Sequence, residues 1–137
     1  MNFFINHRSL LSLLALSLLL FTTTCSAKLL RVTMFNGRLR TAAMTVHCKS
    51  KINDLGPRKL KPAEEFQFEA EASTLYSCEF WLNEEESHLF DIYKPSRDKC
   101  ATLGCNDNYF FWVLKQDGPC FMKWVNRDYQ QICYPWN

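Results

Sequence analysis

The sequence predicts an all-β fold, a small antiparallel β-sandwich stapled by disulfides. Three observations carry that expectation. Short segments alternate apolar and polar residues with period two. Asn, Asp, Gly and Pro turn signals separate them. Six cysteines remain once an N-terminal leader is set aside. Period-two alternation places every second side chain on one face of a strand, so one face can be buried and the other solvated. No segment after the leader has the 3.6-residue period of an amphipathic helix.

The leader is residues 1–27. His7 and Arg8 form a basic start, and Leu10 to Phe21 is a Leu-rich run of about a dozen residues. That is too short to span a bilayer and has the length of a signal-peptide core. Cys25, Ser26 and Ala27 end the leader with small residues, which places cleavage after Ala27. An uncleaved anchor is the alternative reading. Residues 28–137 then form one domain of 110 residues, soluble and secreted, with no KDEL-type retention signal.

The elements follow in order. "LRVTMFNGRLR" alternates and contains Asn36-Gly37, a two-residue hairpin signal. "TAAMTVHCK" puts Met44, Val46 and Cys48 on one face and Thr45, His47 and Lys49 on the other. "KINDLGP" reads as a turn. "EEFQFEAEA" directs Phe66, Phe68 and Ala70 one way, and "LYSCEFW" does the same with Tyr76, Cys78 and Phe80. "HLFDIY" sets Phe90 and Ile92 against Asp91 and Tyr93. "YFFWVLK" is apolar on both faces, which predicts a central strand. "YQQICYPW" supplies the last strand. Trp81 and Tyr93 fall on the polar faces, and packing under a loop is the preferred reading for both.

Cys25 leaves with the leader, so seven cysteines become six: Cys48, Cys78, Cys100, Cys105, Cys120 and Cys133. An even set in a small secreted domain reads as a disulfide framework. Six cysteines allow 15 pairings. Sequence does not choose among them, although Cys120 and Cys133 could close a short C-terminal loop. Each bridge contributes about 2–4 kcal/mol, mainly by restricting the unfolded chain. His47 beside Cys48 could suggest a metal ligand or a catalytic pair. However, no CxxC or HxxxH spacing accompanies it, and a cysteine nucleophile would require an unpaired seventh thiol. No cofactor is expected. His47 and His88 are both assigned outward. A two-histidine ribonuclease is conceivable, but no further motif supports it.

Charge is segregated. Residues 28–61 carry nine Lys/Arg and one acid, a charge of +8, and residues 62–92 carry nine acids and no base. Residues 93–137 carry six bases and four acids, so the domain as a whole is nearly neutral. Nucleic acid is therefore excluded as a partner. Cross-strand ion pairing is the plainer reading of the segregation, and a bipolar surface that orients a partner is the sharper one. Glu84, Glu85 and Glu86 sit where a hairpin loop belongs. Three consecutive acids cannot all face one ion, so they read as a solvated loop and as the candidate recognition loop. No Asn-x-Ser/Thr sequon occurs after the leader.

Five runs carry a resemblance: "VHCKSKINDLG", "FWLNEEESHLFDIY", "RDKC", "WVLKQDGPC" and "ICYPWN". In order and spacing they resemble the plant self-incompatibility protein S1 family, the S-protein homologues, over about residues 30–137. The resemblance implies a small secreted β-sandwich stapled by disulfides, with no known catalytic centre. Some members of the family act as extracellular ligands in pollen–pistil recognition. Cys48 and the Leu55-Gly56 turn match the first motif, and Cys78 the aromatic-Cys-aromatic strand. Phe90, Asp91 and Tyr93 match the FDxY strand, and Arg97, Asp98 and Cys100 the RDxxC region, here one residue shorter. Gly118–Cys120 and Ile132–Asn137 match a common subgroup. The family often has a cysteine directly before its Trp. Here Phe111 precedes Trp112, and Cys105 is the displaced substitute.

Three classes of function follow. The leading one is a secreted recognition or signalling ligand read by a cell-surface receptor through its loops, since sheets hold loops in place and loops carry recognition. The candidate loops are 51–57, 83–87, 101–109 and 126–130. The second is a defence or membrane-active protein, which near-neutral charge and the absence of a cationic amphipathic segment oppose. No stable membrane insertion is expected after leader cleavage. The third is a ribonuclease-like hydrolase. All six cysteines of the secreted protein should be oxidised. Alkylation without reduction, read by mass spectrometry, should add no label, and a single labelled thiol would contradict the framework.

Overall fold

The structure is a computed structural model that describes residues 28–38, 43–99 and 108–137. Two sheets face each other. The strands are β1 Leu29–Asn36, β2 Met44–Lys49, β3 Asp54–Leu60, β4 Glu65–Glu71, β5 Tyr76–Trp81, β6 Ser87–Tyr93, β7 Tyr109–Leu114, β8 Pro119–Val125 and β9 Asp128–Cys133. A five-stranded sheet has the order β4-β1-β7-β8-β9, and a four-stranded sheet the order β3-β2-β5-β6. No helix occurs among the described residues. All pairs are antiparallel except β1 with β7, which run parallel.

Alternation sets the core. Met44, Val46 and Cys48 of β2 and Tyr76, Cys78 and Phe80 of β5 point inward from one sheet. Val32 and Met34 of β1, Phe68 and Ala70 of β4, and Phe110, Trp112 and Leu114 of β7 meet them from the other. Each large side chain buried in this way stabilises by about 1.5–3 kcal/mol. The doubly apolar run at 109–114 is indeed central in its sheet, flanked by β1 and β8.

Among the described residues, two disulfides join directly opposed residues. Cys48 faces Cys78 across β2 and β5, fully buried, with a Cα–Cα distance of 4.0 Å. Cys120 faces Cys133 across β8 and β9. Cys100 and Cys105 lie outside the described residues.

Five sequence expectations need correction. Asn36-Gly37 closes no hairpin. β1 pairs with β4 and β7, while β2 lies in the other sheet. Asn36 instead buries its amide at the crossing, donating Nδ2 to the Leu60 carbonyl and accepting the Arg38 amide. That buried polar site competes successfully with local turn preference. The run 51–57 is turn only at its start, because β3 begins at Asp54. There Leu55 and Gly56 together oppose Cys48 in a bulge, with Gly56 at φ +71°. Glycine adopts that left-handed conformation without a Cβ clash. β8 was not legible in "GPCFMKWV", where Pro and Gly mask a strand. Finally, a bulge between Tyr76 and Ser77 of the β5–β6 pairing turns Tyr93 inward beside Ile92. Tyr93 packs edge-on to Phe110 and donates its hydroxyl to the Ala72 carbonyl. Trp81 remains 39% exposed rather than packed.

The C-terminal segment straps the sandwich. Tyr134 packs on Trp112 of one sheet and Phe90 of the other. Trp136 packs on Phe80 and donates its indole N–H to the Lys115 and Gln116 carbonyls. The strap lies so close to Gly118, at φ +147°, that a Cβ there would overlap the Tyr134 carbonyl oxygen. Gly118→Ala should therefore lower stability by about 2–4 kcal/mol, since both the backbone angle and the space exclude a side chain. Urea unfolding measures this. A loss below about 0.5 kcal/mol, the range of an unconstrained surface site, would show that the strap is not held against this turn.

Candidate functional site

The acidic loop joins β5 to β6. Leu82 is buried and its N–H bonds the Glu86 carbonyl, closing the loop at its base. Asn83 then accepts the backbone amides of Glu85 and Glu86 on its Oδ1 at 2.9 and 2.8 Å. Such side-chain-to-backbone bonds pre-set a turn without a ligand. The carboxylates of Glu84 and Glu85 project from it into solvent.

Glu86 is different. Its Oε1 lies 2.9 Å from His88 Nε2, and its Oε2 accepts from Asn83 Nδ2. His88 Nδ1 reaches the Asn137 backbone oxygen at 2.8 Å, and the imidazole stacks on Trp136 with centroids 5.2 Å apart. The expectation of an outward His88 is corrected here. His88 shares parity with Phe90 and Ile92, so it sits on the core side at the strand's end, where Trp136 covers it. Of the three acids, only Glu84 and Glu85 are available to a partner, because Glu86 helps to hold the strap.

Both partners of the His88 ring are acceptors, so the two bonds form together only in the imidazolium state. The Asn137 carbonyl, then the Glu86 carboxylate, raise the His88 pKa above the usual histidine value, against a smaller opposing effect of burial.

His47 points outward as expected. Its Nε2 is 2.6 Å from Asp54 Oδ1, and the same oxygen accepts the Gly56 amide at 2.8 Å. The His47 bond first, then the Gly56 amide, holds the Asp54 carboxyl below its ordinary range. This clasp spans the bulge, whereas neighbouring Cys48 turns inward to Cys78. The two halves of "HC" therefore serve opposite faces of β2, His47 in the clasp and Cys48 in the disulfide.

Arg97 and Asp98, matched above to a family motif, form the best-built polar site. Arg97 donates Nε to Asp98 Oδ1 at 2.6 Å and Nη2 to Oδ2 at 2.7 Å. The Asp98 side chain is 1% exposed, and its Oδ2 also accepts the Lys94 amide. The guanidinium lies 5.1–5.5 Å from the ring centroids of Phe90, Trp112 and Tyr134. Arginine's charged plane suits both the bidentate pair and the stack. With Nε and Nη2 both engaged on protein acceptors, this constellation ties the two sheets to the C-terminal strap. Among the described residues, no cluster of three or more His, Cys, Asp or Glu is placed to hold a metal.

Two facing sheets, stapled by disulfides and carrying projecting loops, define a small all-β sandwich protein. Residues 31–136 match the family described as plant self-incompatibility protein S1, and the chain belongs to that family. It is 34% identical to S-protein homolog 18 of Arabidopsis thaliana over 138 aligned positions, covering 96% of this chain and 95% of that protein. It is 42% identical to S-protein homolog 2 of the same plant over 96 residues, a match that spans 66% of this chain and 58% of that protein. A solved self-incompatibility protein homologue, from a family described as small, highly stable, secreted proteins from plants, superposes with a TM-score of 0.55 at 16% identity, covering 81% of this chain and 96% of that one. At that identity the likeness concerns the fold.

The strap clasp yields a signed pH dependence. The His88 pKa is raised on folding, so its contribution to stability is fully present below the ordinary histidine value and is lost as pH rises through the raised one. The stability difference between the protein and His88→Gln should thus shrink as pH increases from acid through neutral. Thermal unfolding of both across that range tests it, and a difference that grows with pH would contradict the clasp.

Proposed function

We propose that the protein is a secreted, extracellular recognition or signalling ligand, read by a cell-surface receptor through its loops. The observation that carries this reading is the rigid acidic tip. Asn83 fixes the loop backbone, so the Glu84 and Glu85 charges are presented on a turn that needs little further backbone ordering at binding. Family membership and disulfides suited to an oxidising compartment support the extracellular setting. No helix among the described residues is long and apolar enough to cross a membrane. A concentrated negative tip steers approach to a basic patch and acts mainly on association rate.

The test uses fluorescently labelled mature protein and intact plant protoplasts. Binding should be saturable, competed by unlabelled protein and abolished by protease treatment of the cells. Glu84→Gln with Glu85→Gln should leave stability within about 0.5 kcal/mol per site. The double variant should bind more slowly at low salt, with the deficit shrinking as salt screens the charges over about 8–10 Å. Non-saturable binding that survives protease treatment, or dye leakage from vesicles, would favour a membrane-active role instead. Equal rates at low salt would remove this loop from the interface.

A further inference from the structure

The outer face of the five-stranded sheet is not the plain polar surface that alternation leads one to expect. Arg31 of β1 stands opposite Glu69 of β4 on one side and Tyr109 of β7 on the other. In the next row, Gln67 and Phe111 flank Thr33. On the far side of the sheet Trp124 and Tyr129 are directly opposed on β8 and β9. A groove of about 680 Å³ opens here, with Arg31, Gln67, Glu69, Tyr109 and Tyr129 in its lining. That volume is within the range of small-molecule sites, about 300–1,000 Å³.

Two features separate this groove from an ordinary surface dip. First, its aromatic rings are held by other rings. Tyr109 stacks on Phe111 at 13° with centroids 6.2 Å apart, and Tyr129 meets Trp124 at 67° and 4.6 Å. Yet Tyr129 is 60% exposed and Tyr109 38% exposed. They are ordered rings with a face left to solvent. Second, the polar lining combines a guanidinium, a carboxylate and an amide. These are planar groups that donate or accept in pairs at fixed spacing, and their charges cancel.

We propose that this groove binds a neutral oligosaccharide, with Tyr109 and Tyr129 as stacking platforms and Arg31, Gln67 and Glu69 as hydrogen-bonding groups. A pyranose has an apolar C–H face and a rim of hydroxyls that both donate and accept. The C–H face packs on the electron-rich face of an aromatic ring, and vicinal hydroxyls match paired planar groups. Charge selects among glycans. Glu65, Glu69 and Glu71 all lie on the outer side of β4, so a polyuronate would meet like charge along the groove's border. A neutral chain meets none.

The probes are cellohexaose, mannohexaose and chitohexaose, with hexagalacturonate as the anionic comparison. Each is titrated into the isotope-labelled secreted protein while backbone amide shifts are followed. At least one neutral hexasaccharide should move the amides of Arg31, Gln67, Glu69, Tyr109 and Tyr129 as a group. Tyr129→Ala should weaken that binding at least about tenfold, as loss of an aromatic anchor does. Gln67→Ala should weaken it less. Leu89→Ala, on the outer face of the opposite sheet, should leave affinity unchanged, and unfolding curves of all three variants report folding independently of binding. No shift with any neutral probe up to about 10 mM, weaker than any functional site of this size, would overturn the proposal. So would shifts clustered elsewhere, or tighter binding of hexagalacturonate.

Discussion

The stack of Arg97 on Phe90, Trp112 and Tyr134 is the interaction on which most of the fold depends. Its three rings come from the four-stranded sheet, the five-stranded sheet and the C-terminal strap. One side chain therefore ties the four-stranded sheet, which shares no backbone ladder with the other, to the five-stranded sheet and to the strap that continues from it. Its charge is balanced by Asp98, which is buried and also receives the Lys94 amide. Removing either partner would leave the other charge uncompensated near the core, a cost of about 3–5 kcal/mol. Arg97 also donates to the Asp91 carbonyl on β6.

Around this hub the chain divides its polar residues between structural and projecting roles. Asn36 and Arg38 are consumed where β1 leaves its sheet. Arg38 reaches the Leu82 carbonyl at 3.1 Å and Gln116 Oε1 at 3.0 Å. This links the base of the acidic loop to the turn before β8. His88 and Glu86 extend the same connection to the strap. The acidic tip is thus anchored from below by contacts within the protein, and its base is tied to the strap through Glu86 and His88.

The two sheets use their outer faces differently. On the four-stranded sheet, Thr45 opposes Trp81 and His47 opposes Glu79, an ordinary mixture of polar and scattered apolar groups. On the five-stranded sheet, aromatic residues concentrate toward β7, β8 and β9, and acids toward β4. The charge segregation read from the chain is thereby given a spatial meaning. Arg31 faces Glu69 across one strand pair, while the short ion pairs that shape local structure, His47–Asp54, His88–Glu86 and Arg97–Asp98, lie elsewhere.

The sequence by itself determined which residues face inward on β2, β4 and β5, and that the doubly apolar β7 is central. Alternation is a local property of extended backbone, and only one parity buries the apolar set. It also determined the leader-like start and the six cysteines that follow it, because both are matters of composition. The motifs around Cys48, Arg97 and Gly118 pointed to the family for the same reason. Tertiary structure alone decided the rest. The parallel pairing of β1 with β7 arises between residues 78 positions apart in the chain, which no local pattern encodes. The bulges at Gly56 and Ile92 shift parity by one residue, so Tyr93 turned inward against its alternation. His88 and Glu86 became structural only because Trp136 and Asn137 return from the far end of the chain to meet them, and a contact between distant segments is specified by packing rather than by spacing.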